Sequence, residues 1–219
     1  MPTIVQIKEK VLRLMEGGIK TTNSRLDDGY VYAIINDARA HVLRQDFIKS
    51  KRWSSQAVQT FYPEYESYYQ NSVCYTRFRL PTAFIQGNSA QDGLVYFGSD
   101  TIEILRSQNF DRIKNRAEFN DFLNNSRTND FSIPAILIEG LVATVMTKEN
   151  MAENLMVVGV LDNPLALSTY NIDKDQYPIS EDLIPMLYDV ILNGTMKVVF
   201  ARPTNTSFDA QNDMKGGTK

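Results

Sequence analysis

The sequence predicts an α+β protein: an N-terminal helix pair and a C-terminal helix form a helical bundle, and a β-rich domain is inserted between them. Three observations predict it. Apolar residues recur every three or four positions at both ends of the chain. Short β-branched and aromatic runs, broken by Pro, Gly, Asn and Ser, fill the middle. The order of helices, then strands, then a helix belongs to α+β chains. The expected divisions are 1–55 for the helix pair, 56–170 for the β-rich insertion, 171–203 for the helix completing the bundle, and 204–219 for an extended docking tail.

Residues 3–16 place Ile4, Ile7, Val11, Leu14 and Met15 at helical spacing, and Gly17-Gly18 ends the run. A polar connector, "IKTTNSRL", follows. Asp27 or Asp28 can cap a second helix that runs to about Lys51. At about 100° per residue, Val31, Ile34, Ile35, Ala38 and Val42 share one face of that helix. The opposite face carries Gly29, Ala33, Asn36, Ala40 and Phe47 instead of charges, which sit on the borders: Asp37 and His41 on one, Arg39 and Asp46 on the other. A surface helix ordinarily has one apolar stripe and one charged face, so this one is expected to have neighbours on both sides.

The strand-like runs are "QAVQTFY" (56–62), "SVCYTRFRL" (72–80), "GLVYFG" (93–98), "TIEILRS" (101–107), "IPAILIEG" (133–140), "LVATVMT" (141–147) and "LMVVGVL" (155–161). "RAEFNDFLNN" (116–125) reads as a short helix. The segment "YPISEDLIPMLYDVILNGTMKVVFARP" (177–203) returns to helix, with Ser180 as N-cap and Glu181 and Asp182 at the positive end of the dipole. Pro185 removes one hydrogen bond, so the regular part can begin there. The final stretch, "TNTSFDAQNDMKGGTK", is polar and lacks apolar periodicity; alone it cannot offset the entropy of ordering, and Phe208 is its one large apolar group.

Composition narrows the function classes. Of 219 residues, 43% are hydrophobic and 22% charged, ordinary for a globular protein, and the net charge of −3 weighs against a dedicated nucleic-acid binder. A single cysteine, Cys74, excludes an intrachain disulfide and a cysteine-based zinc site. The start, "MPTIVQIKEKVL", has no apolar signal core, and no apolar run reaches about 18 residues; a soluble protein made in a reducing cytosol is expected. The sequons at Asn193 and Asn205 read as chance matches.

Motifs for chemistry are scarce. The chain has no Walker loop, dinucleotide turn, nucleophile elbow or HExxH. The one histidine, His41, could pair with Asp37 a turn away, but no nucleophile lies near it, and Cys74 has no histidine partner. Paired carboxylates, as in glycosidases, occur at Asp27-Asp28, Glu64/Glu66, Glu118/Asp121 and Glu181-Asp182; capping and solvated helix faces account for most of them. No enzyme, cofactor or metal site is expected. The densest aromatic stretch holds Phe61, Tyr62, Tyr65, Tyr68, Tyr69, Tyr75 and Phe78. Base stacking there would need Lys or Arg, and 61–76 contains Glu64 and Glu66 instead. Packing within a β domain and protein–protein contact are the balanced readings, with sugar binding behind them.

Five collinear pieces carry a resemblance: "GYVYAIINDARAHVLRQDF" (29–47), "VCYTRFRLP" (73–81), "VVGVLDNPLAL" (157–167), "YPISEDLIPMLYDVIL" (177–192) and "DAQND" (209–213). Their order resembles that of the virion structural proteins of crAss-like phages, the head-to-tail connector or ring proteins. The resemblance implies a non-enzymatic virion part, made in the host bacterial cytoplasm, whose copies form a ring, commonly a dodecamer, below the portal. Portal and neighbouring tail or ring proteins would be partners, and DNA would pass through the lumen without specific binding or any membrane contact. The small-residue face of the second helix would then meet a neighbouring backbone, making Gly29, Ala33, Asn36, Arg39 and Ala40 candidate interface residues, with Phe208 anchoring the tail. The alternative is a β-rich binding module for a host-surface glycan or another virion protein, acting through the tyrosine-rich stretch. A structural role predicts that Glu64→Gln, Glu118→Gln and His41→Ala leave the infectivity of assembled particles unchanged; a folded, assembled particle inactivated by one of them in a plaque assay would contradict it.

Overall fold

A computed structural model describes residues 1–15, 27–70, 73–86, 93–99, 111–124, 134–147 and 155–195. Helix α1 spans Ile4–Met15 and buries Ile4, Ile7 and Val11, one residue per turn on a single face. Helix α2 spans Asp28–Ser50. Asp27 caps it by accepting from the Tyr30 N–H at 3.3 Å, and Lys51 ends it in the left-handed region at φ 58°, its N–H donating to the Phe47 carbonyl at 2.7 Å. Lys8 reaches from α1 to Asp28 at 2.8 Å and lies over the Tyr32 ring. Nine residues of α2 are buried: Val31, Ile34, Ile35, Asn36, Ala38, Arg39, Ala40, Val42 and Leu43. They occupy far more of the circumference than one amphipathic stripe, so the helix is covered on two sides.

Two sheets face each other. The first has three antiparallel strands in the order β1-β8-β4, where β1 is Gln59–Phe61, β4 is Leu94–Ser99 and β8 is Leu155–Gly159. The second has five, in the order β2-β3-β7-β6-β5: β2 is Tyr65–Gln70, β3 Val73–Arg79, β5 Asp111–Ile113, β6 Ala135–Glu139 and β7 Val142–Thr147. Its pairings are antiparallel except β5–β6, which is parallel and connected through helix α3, Arg116–Asn124.

The core between the sheets joins Phe61, Leu94, Phe97, Leu155 and Val157 to Phe78, Ile136, Ala143 and Val145. On the other side of the five-stranded sheet, Val73, Tyr75, Ala135, Leu137 and Met146 meet Phe119 of α3. Both faces of β3 are therefore covered along Val73–Thr76, which explains its unbroken burial there. Gly140, at φ 61°, makes the tight β6–β7 turn. Gly159 is required for another reason: a Cβ there would collide with the Phe84 ring and lie 2.7 Å from the Gly93 carbonyl oxygen.

The predicted bundle with an inserted β domain is not what forms. Among the described residues eight strands in two sheets outnumber the four α-helices, and the C-terminal helical run is short and irregular. It is a 3-10 turn at Glu181–Leu183, a six-residue α4 at Ile184–Asp189 with Pro185 in its first turn, and a π turn at Val190–Thr195. Its Leu187 and Ile191 pack in the helical core, but that core also takes in Ala57, Ile85 and Val160 from the β region. The physical reason is that α1 and α4 are too short to cover α2, so strand-flanking residues close the gap. Ser180 makes no side-chain cap; its hydroxyl is 2.8 Å from that of Ser54 and donates to Gln56 Oε1 at 3.0 Å. Strands β2 and β5 are additions to the sequence reading. The expected strand at 101–107 and the stretch 196–219, including Phe208, lie outside the described residues.

Arg39, expected on a charged border of α2, is instead fully buried. Its Nε donates to the Pro178 carbonyl at 2.7 Å, Nη1 to the Leu161 carbonyl at 2.8 Å and Nη2 to the Ala57 carbonyl at 3.4 Å. The guanidinium lies 5.6 Å from the centre of the Tyr177 ring. Tyr177 is also fully buried; its hydroxyl donates to Asn36 Oδ1 at 2.7 Å, and Asn36 Nδ2 donates to Asn163 Oδ1 at 3.0 Å. Burial pushes the Arg39 guanidinium down from its ordinary value, opposed by Tyr177 and Asp162. Burial pushes the Tyr177 phenol far up, and Tyr170 up to about 12.

Removing Arg39 orphans three carbonyls. Arg39→Ala should cost about 3–5 kcal/mol in urea unfolding, since each buried carbonyl left unsatisfied costs about 1–3 kcal/mol and the packing of the side-chain stem is lost as well. Arg39→Lys should also be costly, because an ammonium lacks the planar fork. Parent-like stability of both would refute the role. The raised phenol values give the native state more bound protons than the unfolded state above pH 10, the ordinary value. Stability should therefore be intact below about pH 10 and decline as pH rises toward about 12. Tyr177→Phe should shrink that alkaline loss in pH-dependent melts, while costing about 1–2 kcal/mol at neutral pH for the lost hydrogen bond.

Candidate functional site

The residues singled out on α2 divide into two groups. Gly29 and Ala33 are exposed near its N-terminus, beside Tyr30, which is also exposed. Asn36, Arg39 and Ala40 are covered within the chain itself. Among the described residues a Cβ on Gly29 would meet only the Asp27 side chain, so no other described element presses on that position.

The candidates for chemistry are dispersed. His41 is exposed and its Nε2 is 2.7 Å from Gln45 Nε2, rather than being held by Asp37. Cys74 is fully buried in β3. Asp27 caps α2, and Asp28 pairs with Lys8. Glu118 accepts from the Lys114 N–H at 2.7 Å while its own N–H donates to Asn115 Oδ1 at 2.9 Å, the reciprocal bonding of a helix start. Glu64 and Glu66 are exposed around Tyr65. Among the described residues, no group of three or more His, Cys, Asp or Glu could hold a metal ion, and no helix is long and apolar enough to cross a membrane.

The tyrosine-rich stretch is more informative. Residues 65–70 form the edge strand β2, which pairs with β3 alone; among the described residues no strand meets its outer edge. Five of its six residues are exposed, and the sixth, Tyr65, is half-buried against the inter-sheet core. Tyr69 is 61% exposed although it points to the same side as the buried Phe78 and Thr76, because it lies opposite Cys74 in the register. The three-stranded sheet does not extend far enough to cover it. On the other side Tyr68, 49% exposed, stacks on Tyr75 with ring centres 5.2 Å apart and planes at 9°. The stack holds one face of Tyr68 in place and presents the other. Ser67 and Thr76 hydroxyls, 3.0 Å apart, add a second cross-strand tie. The result is an open strand edge with large amphipathic side chains on both faces. An unprotected edge of this kind normally invites pairing with another chain.

A second open region lies beside β1. Among the described residues this strand pairs only with β8, and its outer side borders a hollow of about 610 Å³ between Phe61, Tyr62, Leu80, Leu141 and Leu167, with Arg79 also in its wall. Nothing in the sequence indicated this groove, since it joins residues 60–63, 79–81, 141 and 166–169. Phe61 and Tyr62 are the parts of it that belong to the aromatic stretch singled out by sequence patterning.

The described residues thus present two open strand edges and a covered polar network. No match is found among the curated proteins. A family model described as "Phage tail ring protein 2" matches residues 6–214. That span holds α1 almost entire, both sheets, α3, α4 and the open strand edges. The chain belongs to this phage tail ring protein family and is a structural ring protein of the virion tail.

Proposed function

We propose that the protein is a subunit of a closed ring, twelve copies in number, in the portal-proximal head-to-tail connector of a crAss-like phage, where the ring extends the DNA channel and acts without catalysis. A closed ring is made by joining one patch of a subunit to a different patch of the next; self-complementary pairing of one patch gives a dimer instead. The observation that carries this reading is the β2 edge, with five exposed residues in a six-residue strand and a Tyr68–Tyr75 stack behind it, in a chain matched by a ring family over residues 6–214. Tyrosine suits such a contact because it supplies large area at low conformational cost and a polar tip for the rim. A second copy is the occupant proposed for this edge. Net charge of −3 suits a channel wall that does not hold passing DNA.

The test is imaging and mass measurement of the purified full-length protein, alone and mixed with the portal protein. Closed rings of twelve with a central hole are expected in at least one of the two samples. Tyr69→Glu places a charge on the edge at an already exposed position. It should keep the parent melting temperature within about 2 °C, as expected for a surface change, and should weaken ring formation at least tenfold. Neither rings nor a portal complex from the parent protein would overturn the ring reading. Parent-like rings from Tyr69→Glu would remove β2 from the contact.

A further inference from the structure

The groove beside β1 has no part in the β2 contact just described. Its floor is apolar, from Phe61, Leu80 and Leu167, and its walls carry Tyr62, which is 61% exposed, and Leu141. Arg79 supplies a cation at the wall. On the strand side, β1 offers an outer edge with no strand partner among the described residues. This combination suits an extended peptide: backbone hydrogen bonds to the strand edge, one large apolar side chain in the hollow, and a carboxylate toward the arginine.

The chain itself contains a segment with that chemistry. Residues 204–213, "TNTSFDAQND", hold a single large apolar side chain, Phe208, followed by Asp209 and Asp213. The last described residue before it is Thr195, in the π turn packed near α1 and α2. Residues 196–219 number 24. Thirteen residues lead from Thr195 to Phe208 and, fully extended, reach about 45 Å, about the diameter of a compact subunit of this length. The segment is therefore long enough to cross from one copy to the next.

We propose that residues 204–213 of one copy add to the open edge of β1 in a neighbouring copy, with Phe208 seated in the groove between Tyr62, Leu80, Leu141 and Leu167 and Asp209 facing Arg79. This assignment rests on the ring reading, since it requires a neighbouring copy. Exchanged arms of this kind make each subunit hold the next, so a ring locks once closed. Seating Phe208 in the groove buries apolar surface that offsets the entropy of fixing the arm there, which couples the arm to assembly.

The test uses full-length protein with p-benzoylphenylalanine, a photo-crosslinking analogue, in place of Phe208. Copies labelled with ¹⁵N are mixed with unlabelled copies before assembly, and cross-linked peptides are identified by mass spectrometry. Cross-links from position 208 to Tyr62, Leu80, Leu141 or Leu167 are expected, with mixed-isotope pairs about as frequent as same-isotope pairs. Leu141→Glu and Arg79→Glu, both at exposed positions, should each reduce the cross-link yield at least fivefold. Asp209→Lys should restore it in the Arg79→Glu background. Rings that form while position 208 cross-links elsewhere, to another virion protein, or only within its own copy would overturn the arm and leave the ring reading standing. No inter-copy complex under any condition, with or without portal protein, would overturn both.

Discussion

The buried guanidinium of Arg39 is the contact on which the rest of the arrangement depends. It sits in the middle of the longest helix and donates to carbonyls at Ala57, Leu161 and Pro178. These belong to the segment entering β1, the segment leaving β8 and the segment leading to the C-terminal helical run. A buried cation is expensive unless its donors are all used. Here the demand for acceptors fixes three chain segments around one helix. Tyr177 then fills the space over the guanidinium and is itself bonded to Asn36, so the second face of α2 is closed by polar contacts rather than by an apolar stripe.

The helical layer and the sheets are therefore one packed body in this region, since Ala57, Ile85 and Val160 share the helical core. Away from it, the sheets differ in width: among the described residues three strands oppose five. That mismatch leaves β2 overhanging, with Tyr69 open on a side where its neighbours in β3 are buried. In a monomer destined to stay alone, such an edge would be a liability. In a member of a ring family it is an available joint, and the overhang follows directly from the sheet topology. The groove beside β1 arises in the same way, because the narrower sheet ends there without a further strand among the described residues.

What the sequence determined by itself was local. Apolar spacing located α1 to within a residue, the pair Asp27-Asp28 marked the start of α2, with Asp27 proving to be the cap, and "RAEFNDFLNN" marked α3, because capping and one-face periodicity are properties of contiguous residues. Most strands were legible as β-branched and aromatic runs. Strand β2, "YESYYQ", was not, because tyrosine, glutamate and serine carry no apolar alternation, and three-residue β5 is too short to show a period. The tyrosine-rich stretch fits β-domain packing and protein contact equally well as a sequence, and only its pairing with β3 makes it an edge. Tertiary structure alone decided the rest. Periodicity gave the angle at which Arg39 leaves its helix, yet its acceptors lie 18, 122 and 139 residues away. The same is true of the bundle that does not form and of the small-residue face that is half covered. Each depends on which distant backbone arrives, and a one-dimensional pattern holds no record of that.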